Sequence, residues 1–251
     1  MTKNIILGAV GALILGPTAA MAADLPVKAA PVVQIYNWTG FYIGAAAGGS
    51  IGPSDHVDQA TGVSDASGYT VKGGLVGGTL GYNWQMSNLV VGFEGDASWV
   101  AERGTIPDVG PVAIANGFVD GAGNSLFSSF TNETWLATAR GRVGYAVNNL
   151  LFYGTGGYAG AGVGQGIYDN AHNVIASSSS TRSGWTAGGG LEWGFAPNWS
   201  AKFEWLYMKF STVALNTALA EGPRNVPFED NVVRFGVNYR FGGPGPVVAR
   251  Y

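Results

Sequence analysis

The chain has 251 residues, a formal net charge of −3 and no cysteine. That excludes disulfide staples, thiolate metal centres and a cysteine nucleophile, and no basic run offers nucleic acid a phosphate track. Only 12% of residues are charged, against roughly 25% in a typical soluble domain, while 12% are aromatic and 41 are glycine, so the chain has too many large apolar side chains for a disordered glycine-rich segment.

Lys3, the apolar run Ile5 to Leu15 and the small-x-small site Ala20-Met21-Ala22 form a secretory signal peptide over 1–22, with cleavage expected before Ala23. The run is too short for a membrane anchor and is stopped by Pro17; no later stretch of 18 or more apolar residues follows. Residues 23–37 contain two prolines and read as an extended periplasmic linker.

From Trp38 one pattern repeats: an alternating strand, then a very short turn or a long polar loop. The expected strands are 38–49, 71–85, 89–101, 132–146, 150–163, 184–196, 199–210 and 230–241. The short turns are 86–88, 147–149 and 197–198; the long loops, rich in Ser, Asn, Asp, Gly and Thr, are 50–70, 102–131, 164–183 and 211–229. Strict alternation of short and long connections predicts an all-β, eight-stranded antiparallel up-and-down transmembrane barrel over 38–241, with short periplasmic turns and four long extracellular loops. A Gly/Pro tail, 242–251, follows. The competing fold is a soluble periplasmic β-sandwich, which has no reason to gather its long loops at one end.

Residue parity assigns the two faces. Trp135, Ala137, Ala139, Gly141, Val143 and Tyr145 share one face of the fourth strand; Thr134, Thr138, Arg140, Arg142 and Gly144 share the other. The same test sends Glu94, Asp96, Glu192, Lys202, Glu204, Arg234 and Arg240 inward, against outward aromatics such as Phe93, Trp193, Phe203 and Phe235. Four acids and five bases in a narrow lumen predict a network of ion pairs, because an unpaired buried charge is costly. Glu192 and Lys202, equally far from the 197–198 turn, are expected to be cross-strand neighbours. A functional alternative is that the arginines line an anion-selective constriction. Gly154, Gly156, Gly160, Gly188 and Gly190 are placed on the polar face, where they leave room for larger neighbours. Trp38, Trp84, Tyr145, Phe195, Trp199, Tyr239 and Phe241 form an aromatic belt near the short turns, and Trp99, Trp135, Trp185 and Tyr207 a second near the long loops.

The stretch Trp38-Thr39-Gly40-Phe41-Tyr42-Ile43-Gly44, with the closing Val237-Asn238-Tyr239-Arg240-Phe241, resembles the small porin-like outer-membrane β-barrel proteins of alphaproteobacteria, the group of Brucella and Bartonella major outer-membrane and haemin-binding proteins. The resemblance covers essentially the whole mature chain. It implies a surface-exposed barrel with roles in envelope integrity, modest porin activity, host-facing antigenicity and, in some members, haem binding. Phe241 fits the terminal aromatic that the barrel assembly machinery reads, although ten residues ending in Tyr251 follow it.

Other chemistry is thin. His56 and His172, the only histidines, fall in expected loops; haem binding there follows from the resemblance, and no cofactor is expected. Loop acids Asp55, Asp58, Asp65, Asp108, Asp120 and Asp169 show no calcium-loop spacing, though they are candidates for divalent ions bridging lipopolysaccharide. Ser177 to Ser180 near His172 lack a nucleophile-elbow pattern, and the glycines of 73–81 lack a phosphate-loop lysine, so no enzyme is expected. The expected partners are outer-membrane lipid and lipopolysaccharide and the assembly machinery, with no nucleic acid and a monomeric state. The functional expectation is a structural barrel with narrow passage for small polar solutes; the alternative is a receptor or adhesin acting through its loops.

Overall fold

The computed structural model describes residues 36–58, 64–107, 114, 117, 119–215 and 224–241. The expected signal peptide, the expected linker up to residue 35 and the expected tail lie outside them. Among the described residues the chain forms eight strands: β1 (Gly40–Asp58), β2 (Ser64–Met86), β3 (Leu89–Pro107), β4 (Phe127–Val147), β5 (Leu150–Asp169), β6 (Val174–Ala196), β7 (Trp199–Leu215) and β8 (Arg224–Phe241). Each pairs antiparallel with the next, and β8 pairs back onto β1 from Phe41↔Phe241 to Asp58↔Arg224, closing the barrel. A closed ring leaves no sheet edge, which is what a sandwich would keep.

At the end of the short connections each turn is a pair of residues: Ser87–Asn88, Asn148–Asn149 and Pro197–Asn198. Ser87 and Asn148 adopt positive φ (58° and 55°), as tight hairpins require. The second residue is Asn in all three, and its carbonyl accepts a backbone N–H from the neighbouring strand: Ala146 to Asn88 at 2.7 Å, Gly194 to Asn149 at 2.8 Å and Arg240 to Asn198 at 2.8 Å.

The opposite end departs from expectation. Most of what reads as long loop is strand. β1 and β2 continue to Asp58 and from Ser64, and β5 and β6 to Asp169 and from Val174, so the expected loop 164–183 shrinks to a four-residue turn. The β6 extension is polar on both faces (Ser177 to Ser180, for example), because beyond the bilayer neither face needs to be apolar. The backbone ladder suffices there, and the alternation that identifies strands from sequence is lost.

Outward side chains form an apolar band. Trp99, Trp135, Trp185, Phe93, Phe152, Phe235, Trp84 and Tyr145 are all exposed. From Trp135 to Tyr145 β4 advances about ten residues, which at ~3.3 Å per residue and a tilt near 40° spans about 25 Å, the height of a bilayer-facing band. Charges resume outside the band: Lys72 and Arg103 are exposed cross-strand partners, and Lys209 Nζ lies 2.7 Å from a Glu229 oxygen. They mark the outer rim.

Three expectations about faces are corrected. Trp38 is not in the outer belt: it is buried, its ring centroid 4.5 Å from that of Tyr36. Residues 36–39 precede β1 and cross the short-turn end, with Trp38 N–H donating to Gln85 Oε1 at 2.8 Å and Gln85 N–H to Thr39 Oγ1 at 3.0 Å. The chain then enters β1 at Gly40, whose φ of 137° suits glycine and whose position would set a Cβ 2.9 Å from the Phe241 carbonyl oxygen. Second, Gly154, Gly156 and Gly160 share the outward parity of Phe152 and Tyr158; only Gly188 and Gly190 of the five face inward with Thr186 and Glu192. Third, Thr134 faces outward rather than sharing the inner face of Arg140. A bulge places Glu133 opposite Val163 and Trp135 opposite Gly162, leaving Thr134 as the extra residue and reversing the parity above it.

Candidate functional site: the filled lumen

The barrel interior is layered. Next to the short turns lies an apolar cluster of Tyr36, Trp38, Val90, Ala146, Leu151 and Tyr153. Arg240 sits here, its guanidinium 4.6 Å from the Tyr36 ring centroid, donating to the carbonyls of Pro197 (2.7 Å) and Thr39 (3.3 Å). Of the nine lumen charges expected from parity, Arg240 is the one that stands apart. It faces inward, but it braces the capping segment through main-chain carbonyls rather than joining the ion pairs.

The other eight come together in the next layer. Arg142 donates to Glu192 Oε2 at 2.8 Å and to the Tyr42 hydroxyl at 3.1 Å, and lies 4.0 Å over the Tyr153 ring. Glu192 also accepts from Ser200 (2.6 Å) and Asn238 (2.8 Å). Above it, Arg140 reaches Glu94 at 2.6 Å, Asp96 at 2.9 Å and Glu204 at 3.0 Å. Arg234 grips Asp96 at 2.9 Å and Glu204 at 2.6 Å. Lys202 donates to both oxygens of Glu94, at 2.9 and 2.8 Å. Glu192 and Lys202 are indeed Cα partners, yet the Lys202 ammonium crosses the lumen to Glu94. Without Arg240 the layer holds four carboxylates and four cations, all buried. Charge-assisted bonds of this density satisfy what a narrow lumen would otherwise leave desolvated.

A third layer is apolar again: Leu75, Val100, Leu136, Leu206, Met208, Phe210, Phe228 and Val232 belong to one buried cluster. This cluster lies above the network.

Three further acids escape the sequence reading. Glu102, Glu133 and Asp230 are buried, with one oxygen of each within 4.8 Å of the others. Glu102 follows the parity of Glu94 and Asp96 one residue past the expected end of β3, and Asp230 follows that of Arg234, so both were recoverable. Glu133 was not, because the bulge at Thr134 turns it inward.

The two histidines lie on different hairpins. His56 lies in β1, whereas His172 is at the tip of the β5–β6 hairpin with φ of 63° and its ring stacked on Tyr168 at 5.5 Å. That tip repeats a second one. Asp120-Gly-Ala-Gly-Asn124 and Asp169-Asn-Ala-His-Asn173 fold alike: Asp Oδ1 accepts the N–H of the residues two and four on, and Oδ2 accepts the Asn side chain. The fourth position takes positive φ in both, Gly123 at 82° and His172 at 63°. Hydrogen bonds led by the Asn124 and Asn173 side chains hold both Asp carboxyls below the ordinary carboxylate range. Asp120 and Asp169 are thus engaged in shaping their own turns. Asp55 and Asp58 fall in β1 and Asp65 in β2; Asp108 lies outside the described residues.

Comparison with known proteins agrees with this architecture. A 31 kDa outer-membrane immunogenic protein of Brucella melitensis is 34% identical over 262 residues, covering 95% of this chain and all of that protein. A 22 kDa outer membrane protein of Rhizobium leguminosarum bv. viciae is 28% identical, covering 84% of this chain and 82% of that one. The crystal structure of OprG from Pseudomonas aeruginosa, 14% identical, superposes with a TM-score of 0.50 over 83% of this chain and 99% of that one, a likeness of fold. The family described as outer membrane protein beta-barrel domain matches residues 10–241. The closed ring of strands, its outward apolar band and the alphaproteobacterial relatives lead to one assignment: the chain is an outer-membrane protein of a Gram-negative bacterium and belongs to the outer membrane protein beta-barrel domain family.

Proposed function

We propose that this protein is a closed structural barrel, a membrane-spanning staple that presents its extended outer hairpins at the cell surface, and not an open pore. One observation carries the reading. The lumen is filled by the eight-charge network, with a hydrocarbon layer on either side of it. An anion-selective constriction needs cationic groups facing water, whereas here Arg140, Arg142 and Arg234 are each committed to carboxylates. The proposal assigns the chain no catalysis. The apolar band meets lipid and lipopolysaccharide, the assembly machinery inserts the chain, and the absence of a sheet edge favours a monomer.

The test is conductance of the refolded mature protein in a planar bilayer, with folding verified by heat-modifiable migration on gels. The expected result is silence at all voltages the bilayer withstands. Stable, reproducible openings whose ion selectivity shifts in Arg142→Ala would overturn the reading and restore the narrow porin. If the barrel is silent, truncation of the hairpin tips should alter surface binding without changing the melting of the barrel.

A further inference from the structure

Glu102, Glu133 and Asp230 differ from every acid in the network beneath them. Glu94, Asp96, Glu192 and Glu204 each accept from at least one cation. Glu102 spends one oxygen on Ser50 Oγ at 2.8 Å. Its other oxygen, both of Glu133 and both of Asp230 have no hydrogen-bond partner. All three side chains are sealed from solvent, with relative exposures of 0%, 2% and 0%. Glu102 and Glu133 are direct cross-strand partners on β3 and β4, a placement that sets like charges face to face. The arginine of this end of the lumen, Arg182, is turned to other groups: it donates to Gln165 Oε1 at 2.6 Å and lies 5.9 Å over the Phe228 ring.

Three dry carboxylates aimed at one point cannot all stay charged alone: they either take up protons or hold a cation between them. The donors are all oxygen, which selects a hard cation over zinc or copper. One oxygen of each acid lies within 4.8 Å of the other two, close enough for the three to share a single ion. Five open oxygens on three strands also suit calcium, which uses carboxylates in one- or two-oxygen modes. The site lies level with the outer rim, since Glu102 adjoins rim residue Arg103 and Asp230 adjoins Glu229.

We propose that Glu102, Glu133 and Asp230 bind a single divalent cation, calcium in preference to magnesium. The ion ties β3 and β4 across the lumen to β8 and holds the outer mouth of the barrel.

The experiment uses the full mature chain refolded into detergent free of lipopolysaccharide, stripped with chelator and titrated calorimetrically with calcium chloride or magnesium chloride. One calcium per barrel should bind, more tightly than magnesium, and the heat-modification temperature should rise with calcium and fall with chelator. Glu133→Gln and Asp230→Asn should each weaken calcium binding by roughly tenfold or more, while the turn variants Asp120→Asn and Asp169→Asn leave it unchanged. Terbium in place of calcium gives a readout independent of the acid variants: its tryptophan-sensitised emission should drop in Trp135→Phe, two residues from Glu133. Absence of saturable uptake by the folded wild type would overturn the proposal and leave the acids neutralised by shared protons. So would calcium affinity that survives both acid substitutions, or terbium emission indifferent to Trp135.

Discussion

Removing Arg140 is the sharpest test of the lumen network. Its guanidinium contacts three carboxylates, Glu94, Asp96 and Glu204, at 2.6, 2.9 and 3.0 Å, and its Nε donates to Thr138 at 2.9 Å. Arg140→Ala leaves four acids facing three bases in a layer with almost no exposure. Each orphaned acid keeps at least one other cation: Lys202 for Glu94, with Arg142 and Arg234 each 3.7 Å away, and Arg234 for Asp96 and Glu204. The loss is therefore that of one uncompensated buried charge, about 3–5 kcal/mol. Restoring balance should recover much of it. In Arg140→Met/Glu204→Met the layer is three on three, and hydrocarbon replaces the lost ion pair, so a coupling energy of about 2–3 kcal/mol is expected. The assay is urea unfolding of the barrel in short-chain lipid bilayers, followed by tryptophan fluorescence, for the wild type, both singles and the double. A single-variant loss below about 1 kcal/mol, the worth of a surface bridge, would refute the claim that these charges are desolvated.

Four further outcomes follow from the geometry. Lys202→Met should cost about 1–3 kcal/mol, less than Arg140→Ala, because Glu94 retains the Arg140 contact and the Tyr42 hydroxyl at 2.8 Å; equal losses in the same urea series would contradict this. Gly157→Ala should destabilise by about 1–3 kcal/mol, since a Cβ there meets the Ala139 carbonyl oxygen at 2.2 Å, whereas Gly154→Ala, with its nearest atom at 3.9 Å, should stay within about 0.5 kcal/mol. His172→Gly should stabilise its hairpin by about 1 kcal/mol by releasing a side chain from positive φ, read as increased amide protection across 169–173. For pH, Asp169 has a lowered folded pKa, so its turn is stabilised above the ordinary carboxylate range and loses that stabilisation as pH falls through the folded value; Asn173→Ala should move the carboxyl titration upward by NMR and shift the loss to higher pH.

The membrane-facing half of the fold is legible because two constraints act on every second residue there. Lipid demands an apolar outer face and the lumen tolerates only paired charge, so Glu94, Asp96, Arg140 and Arg142 declare themselves by parity alone. Legibility fails where one constraint lapses. In the extension of β6 neither face is buried, and Ser177 to Ser180 read as loop though they sit in a ladder. At Thr134 a bulge inserts one residue, so parity sends Glu133 to the wrong face. At Trp38 the aromatic is placed by a segment crossing the barrel end, a tertiary arrangement that no alternation encodes. For Arg240 the sequence shows a face but not a partner: four acids exhaust four bases, and the fifth base turns to main-chain carbonyls.

The network also fixes the register of the barrel. Glu94↔Arg140 and Glu204↔Arg234 are cross-strand partners, whereas Arg140–Glu204, Lys202–Glu94 and Arg234–Asp96 span the lumen. A one-residue slip of β3, β4, β6, β7 or β8 would expel its charges into lipid and strand those of its partners, two penalties of buried-charge size at once. The alternative registers of a glycine-rich sheet, such as the facing glycines of β5 and β6 where Gly154 opposes Gly189, are otherwise close in energy, because glycine gives little side-chain contact to distinguish them. On β6 the Glu192–Arg142 pair supplies that discrimination where the glycines cannot. This accounts for a barrel placing eight charges in its core, a cost that hydrocarbon packing alone would have avoided.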